Sequence, residues 1–345
     1  MSLSTIKVQR SSINFTGTDP KPQRPLIASA ILAIFVDMRA QVDVAAGGGV
    51  DGTLVPEGSD NLLPFFRIFD GARTPIIEIS AAEMRQKAQR EVRGQSVPGV
   101  QLVSPSIQVA TQIRRHYALY FAKPRRANPI EVHLRSKDPQ NFYLEVQYPG
   151  TGLVTDLATA LITGGNRTVT VSNYTLDISV LYDPAAFVRM LPIFQPRIRR
   201  YSIQAPLTQK DLEFKLKSTA TAISSSLIKT ADAGVVVENA LNAITLRDDA
   251  TVYRDAVFVR GWHEEELAQY PALENQAGVA MAYFGDEFAD NGRLGTLLAP
   301  GQGGNVRWIF DVNGGATRAI TIINEEYERP TGLTADEAHL PAGLL

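Results

Sequence analysis

The chain has 345 residues, 34 Lys and Arg against 36 Asp and Glu, and no cysteine. At ~150 residues per domain the length points to about two domains, and 44% hydrophobic with 20% charged residues is a globular composition rather than a disordered one. The lack of cysteine excludes disulfides, thiolate nucleophiles and cysteine metal sites, and a net charge of −2 excludes a global basic field for wrapping nucleic acid.

The first 24 residues are polar and carry Lys7, Arg10, Lys21 and Arg24 against one acid, Asp19. They read as an N-terminal arm ordered by a partner, with the four bases suited to an anionic lipid surface or a neighbouring subunit. No secretory signal is visible. The most apolar run, Pro25 to Val36, ends at Asp37 and Arg39, too soon to cross a bilayer as a helix. The expectation is a soluble protein.

From Leu26 to Val44 the even positions are apolar and the odd positions turn polar from Asp37 onward. This predicts a long strand, buried on both faces at its start and on one face later. The same period of two recurs at Tyr117/Leu119/Phe121, Phe142/Leu144/Val146/Tyr148, Tyr174 to Tyr182, Leu212/Phe214/Leu216, Val306/Trp308/Phe310/Val312 and Ile320/Ile322. Gly47 to Gly49, Asp70-Gly71, Pro149-Gly150, Gly164-Gly165-Asn166 and Asn291-Gly292 punctuate these runs as turns. Helices are few. Ser80 to Val92 opens on a capping box, Ser80 and Glu83, and Gly94 suits its C-terminal end. Shorter candidates lie at Pro184 to Met190 and His263 to Gln269.

The pattern occurs twice. Asn61-Leu62-Leu63, Ile68 and Asp70 answer to Asn239-Ala240-Leu241, Leu246 and Asp248, each leading within about a dozen residues to a helix candidate. The later strands follow in parallel: Tyr117/Leu119/Phe121 with Val279/Met281/Tyr283, Phe142/Leu144/Val146 with Val306/Trp308/Phe310, and Tyr174 to Tyr182 with the strand near Ile320. The reading is a tandem pair of β sandwiches with a boundary in the proline-bearing stretch Tyr182 to Arg197.

Chemistry-bearing motifs fail at their second residue. His263-Glu264 lacks the second histidine of a zinc helix, since Leu267 stands there. His116, His133 and His339 have no spacing that pairs them. Gly301 to Gly304 has no strand–helix frame for phosphate, no G-x-S-x-G is present, and Asp286, Glu287 and Asp290 lack calcium-loop spacing. Three glycosylation sequons, at Asn14, Asn166 and Asn173, have no secretory context. Basic clusters at Arg114/Arg115, Lys123/Arg125/Arg126 and Arg197/Arg199/Arg200 sit among aromatics; in a slightly acidic chain they read as subunit-interface salt bridges or a solvated face rather than as a nucleic-acid surface.

Three stretches carry a family resemblance: Asn61 to Asp70-Gly71; Phe142 to Val146 with Val169 to Val171 and Tyr174 to Ile178; and Tyr283 to Asp286 with Asn291-Gly292 and Val306 to Val312. In order and pattern, over about residues 25 to 330, the chain resembles the double jelly-roll major capsid proteins of tailless, membrane-containing icosahedral phages (tectiviruses, corticoviruses, autolykiviruses). The resemblance implies an all-β fold of two tandem eight-stranded jelly rolls with short connecting helices. The expected division is an arm at 1–24, jelly rolls at 25–188 and 189–330, and a C-terminal tail at 331–345. It also implies a homotrimeric, pseudo-hexagonal capsomer in an icosahedral virion shell over a membrane and genome, assembled in the host cytoplasm. The implied partners are neighbouring trimers, a penton protein, minor capsid proteins and, through the arm, the membrane. No catalysis, cofactor, metal or specific nucleic acid is implied. Two other classes stay open: a carbohydrate- or receptor-binding β-sandwich such as a phage spike, with only Trp262 and Trp308 for sugar stacking, and a two-barrel metalloenzyme, for which the histidines are poorly placed.

Overall fold

The computed structural model describes residues 6–27, 29–46, 49–55, 57–71, 74–91, 99–101, 104–121, 133–136, 139–184, 195–216, 222–247, 252–257, 278–283 and 306–328. The described residues divide into two compact units, one reaching to 184 (His133 excepted) and one from 195 onward.

The first unit runs β1 (Lys7–Asn14), β2 (Gln23–Pro25), β3 (Ala30–Val44), β4 (Thr53–Leu54), β5 (Phe65–Asp70), β6 (Ile77–Ile79), α1 (Ala81–Glu91), β7 (Gly99–Gln101), β8 (Gln108–Tyr120), β9 (Phe142–Gln147), α2 (Val154–Leu161), β10 (Ile162–Thr163) and β11 (Val169–Asp183). One sheet takes the order β1-β11-β3-β8-β7, and β2, β9, β5 and β6 are successive neighbours in a second. The second unit runs β12 (Gln195–Gln204), β13 (Gln209–Lys215), β14 (Ala222–Asp232), β15 (Val235–Val236), β16 (Leu241–Arg247), β17 (Val252–Val257), β18 (Val279–Tyr283), β19 (Arg307–Val312) and β20 (Arg318–Glu328). Here β12, β20 and β14 are successive neighbours, β18 also pairs with β14, and β13-β19-β16-β17 form the other sheet.

Setting aside the short strands β4, β7, β10 and β15, each unit has eight main strands among the described residues. Numbered within a unit, they fall into sheets ordered 1-8-3-6 and 2-7-4-5. That is the jelly roll, two interleaved Greek keys whose sheets face each other. The repeat predicted from sequence is a repeat of topology: β5 matches β16, β8 matches β18, β9 matches β19 and β11 matches β20 as fourth, sixth, seventh and eighth strands.

The alternation dictates which face each strand buries. Along β3 the even positions from Ala30 to Val44 are buried, Ile31 and Ala33 are buried as well, and from Phe35 the odd positions open to solvent. The strand begins at Ala30 rather than Leu26 because Gln23–Pro25 pairs with β9 in the other sheet. The segment between crosses the sandwich, and Leu26 is buried there without belonging to the strand. In the second unit Trp308, Phe310, Ile244, Ile320 and Ile322 form the centre of the core, each under 1% exposed.

Two sequence expectations need correction. Residues 7–14 do not belong to an arm waiting for a partner. They form β1, paired over eight positions with β11, from Lys7↔Tyr182 to Asn14↔Thr175, with Ile13 buried. The run KVQRSSIN has one strongly apolar inward residue, so its strand character comes from pairing rather than from pattern. The second omission is α2. Its first turn is held by Asp156, which accepts hydrogen bonds from the Thr151 N–H (2.7 Å), the Thr151 hydroxyl (2.8 Å) and the Leu153 N–H (3.2 Å). The capping box at α1 is formed as predicted: the Ser80 N–H donates to Glu83 Oε2 at 2.8 Å and the Glu83 N–H to Ser80 Oγ at 3.2 Å. The helix candidate from residue 185 to Met190, the one at His263 to Gln269, Gly94, the Asn291-Gly292 hairpin, the acidic Asp286 cluster, Gly301 to Gly304 and the tail from 331 lie outside the described residues.

Candidate assembly surface

Because strand residues alternate between faces, each residue on the inner side of β3 has neighbours on the outer side that the core does not claim. The registers line these up across four strands. One row on the outer face of the first unit runs Arg10–Ser179–Phe35–Ala118, and the next Ser12–Asp177–Asp37–His116. Arg39 and Arg114 follow in the third row, opposite each other across β3 and β8. This face has an apolar end, where Phe35 and Tyr120 meet edge to face at 5.9 Å beside Val8, and a charged end.

The charged end is organised by Asp37. Its carboxylate meets Arg39 at 2.7 Å, Arg114 at 3.0 Å and His116 Nδ1 at 3.2 Å. Partial burial pushes its pKa up, but the hydrogen bonds from Arg114 and Arg39 outweigh this and hold it below the usual carboxylate value. Arg39 also reaches Asp177 at 3.2 Å. Both arginine side chains remain 52% exposed, so the cluster neutralises itself and still presents cations to solvent.

The bases singled out in the first 24 residues separate. Lys7 and Arg10 are exposed on β1, and Lys21 is exposed in the loop before β2. Arg24 turns back onto the protein, donating to the Gln23 carbonyl at 2.8 Å and the Ser12 carbonyl of β1 at 3.2 Å. Arg114 and Arg115 also diverge, as consecutive strand residues must. Arg115 points inward, to Ser59 Oγ at 3.1 Å. Arg199 is paired with the buried Glu326 at 2.9 Å. Arg114 and Arg199 are thus salt-bridged within the chain, and Lys123, Arg125 and Arg126 lie outside the described residues.

A buried ionic cluster was not legible beforehand. Asp60, in the 3-10 turn Gly58–Leu62 that precedes β5, receives Arg85 of α1 at 2.7 Å and the Tyr117 hydroxyl of β8 at 2.9 Å. Burial, and then the nearby Asp60 charge, push the Tyr117 phenol well above its ordinary value, so it stays a donor. The cluster ties turn, helix and sheet together, and nothing in it opens to a substrate. Among the described residues no group of three His, Asp or Glu is placed to hold a metal. His133 is buried, while His263 and His339 lie outside the described residues. Trp308 is fully buried in the core and offers no stacking platform; Trp262 lies outside the described residues.

No family model and no curated relative matches the sequence. Solved structures do match. A chain from the atomic structure of Sulfolobus Turreted Icosahedral Virus is similar at a TM-score of 0.67 and 12% identity, covering 98% of this chain and 94% of that one. The major capsid protein P2 of bacteriophage PM2 is similar at 0.55 and 12% identity, covering 94% and 100%. A chain of the PBCV-1 virus capsid is similar at 0.53 and 11%, covering 93% and 94%. At these identities the likeness is one of fold, and it spans both jelly rolls.

Proposed function

We propose that this chain is the major capsid protein of an icosahedral virus, a structural subunit with no catalytic role. One observation carries the reading. Two copies of one eight-stranded topology stand in a single chain, and that arrangement matches solved capsid proteins over more than nine-tenths of both lengths. Each jelly roll folds its strands into two facing sheets, which limits exposed edges. Two fused copies give a trimer six similar sides, and a subunit with six similar sides fills hexagonal positions in a shell.

In this reading three chains form a pseudo-hexagonal capsomer, and capsomers tile a virion shell around a membrane and genome. A penton protein and minor capsid proteins complete it, after assembly in the host cytoplasm. Lys7, Arg10 and Lys21 remain exposed, and they face the membrane's anionic headgroups or a neighbouring capsomer. Weak contacts repeated many times suffice for such a shell.

Light scattering on the purified chain tests the reading. The expected mass is three times 37.6 kDa, or a larger assembly. A species that stays at one chain mass at high concentration contradicts it. Flotation with phosphatidylglycerol vesicles tests the membrane contact: the Lys7→Glu, Arg10→Glu, Lys21→Glu variant is expected to lose binding, and unchanged flotation rules these residues out.

A further inference from the structure

We propose that Asn14, Asn166 and Asn173 are sites of N-linked sugar attachment, with a nucleotide-activated sugar as the donor. Each opens an Asn-x-Thr sequence, and no asparagine after residue 173 has Ser or Thr two positions on. The fold brings the three to one end of the first unit, the end where β11 begins. Asn14 closes β1 and lies opposite Thr175. Asn173 sits in the irregularity of β11 between Ser172 and Thr175, with a φ of 52°, a left-handed conformation that asparagine adopts more readily than most residues. Asn166 follows Gly164 and Gly165, both with positive φ, in the turn before β11. All three asparagines are exposed.

The hydrogen bonds add a direction. The Asn166 side-chain oxygen accepts the Val50 N–H at 2.6 Å, and that of Asn14 accepts the Thr175 hydroxyl at 3.2 Å. Among the described residues, Nδ2 of both donates to nothing. Each amide is therefore held by its oxygen and leaves available the nitrogen that bonds to a sugar. Asn173 Nδ2 makes one long contact, 3.3 Å to Gln41 Oε1. The apolar surface at this end is a second observation. Val50, the partner of Asn166, is 70% exposed, and Ile107 and Val109 are 52% and 80% exposed. The Ser106 hydroxyl donates to Asp51 at 2.9 Å and ties the Ile107 segment to the Val50 loop. A sugar on Asn166 lies beside this apolar tip and screens it from other molecules. The donor class rests on the shell-subunit reading, in which the chain is made and assembled in the host cytoplasm and meets soluble nucleotide sugars. In the transfer Nδ2 attacks the anomeric carbon, and the carbon–oxygen bond to the nucleoside diphosphate breaks. The diphosphate leaves with the electron pair, and the amide proton passes to a base of the transferase. An end that carries sugars is not packed against a neighbour, so these positions mark a free end of the first unit in the shell.

Mass spectrometry of the chain made in its host cell tests the sites. The expected result is an intact mass above 37.6 kDa, with the added mass on the peptides that hold Asn14, Asn166 and Asn173. Three unmodified peptides from a chain that still assembles overturn the proposal and leave the shell-subunit reading standing. Sugar on a chain that never self-associates supports the sites and overturns that reading instead. Thr168→Ala is expected to lose all sugar at Asn166, and Thr168→Ser, which keeps the Asn-x-Ser/Thr pattern, is expected to retain it. Sugar retained by the alanine variant, or lost from the serine variant, contradicts the assignment. A block of lipid-linked sugar synthesis is expected to leave the added mass unchanged, and its loss under that block overturns the donor.

Discussion

Asp60 joins a helix and a strand of the first unit through Arg85 and Tyr117. Its side chain is fully buried, and Arg85 and Tyr117 both depend on it. Asp60→Ala removes the buried carboxylate that meets Arg85 and the Tyr117 hydroxyl, and breaking such a buried pair costs about 3–5 kcal/mol. Chemical denaturation is expected to show that loss, and a loss below ~1 kcal/mol would mean that the cluster is not tied together as described. Trp308, fully buried beside Phe310, sets the same scale for the second unit: Trp308→Ala is expected to cost about 3–5 kcal/mol. The exposed carboxylate of Asp156 behaves differently. Hydrogen bonds from the Thr151 hydroxyl, the Thr151 N–H and the Leu153 N–H lower its pKa. Its folded value therefore lies below the unfolded value of ~3.9. Its contribution is complete above the unfolded value and is lost as pH falls through the folded one. Asp156→Asn is expected to flatten the acid limb of a stability-against-pH profile, and an unchanged acid limb contradicts the assignment.

At the scale of elements, legibility followed how many faces a segment buries. Strands with one wet face, such as the later part of β3, carry a clear period of two. β14 is buried along most of its length, with Ser224, Ser225 and Ser226 all under 5% exposed, so its sequence shows no alternation and gave no signal. β1 gave none because it is an edge strand with a wet outer face and a mostly polar inner one. α1 was legible from its ends rather than its middle. Its capping box fixed the start, yet Glu83, Arg85, Gln86, Lys87 and Gln89 are all buried, where a polar helix would ordinarily be read as solvated. Ser80→Ala removes the hydroxyl that caps Glu83 and is expected to cost about 1 kcal/mol, measurable as a shift in the denaturation midpoint. No shift would mean that burial alone holds the helix. The candidate surface was legible only in part: Arg10 was visible as a charge, but its place in a row across four strands depends on register, which sequence does not contain.

For the whole molecule, the near-zero net charge conceals a division of labour. Among the described residues acids and bases meet in pairs such as Asp37 with Arg114 and Glu326 with Arg199, and in the proposed shell a net charge of −2 lets copies of the chain approach one another. In the proposed capsomer the duplicated topology supplies the rest, since two similar units in each of three chains would turn threefold association into something close to sixfold. Electron microscopy of the purified, concentrated chain tests this most directly. Class averages with a hexagonal outline and three-fold symmetry, or closed shells built from such units, are the predicted result. Isolated single chains at every concentration would contradict the account.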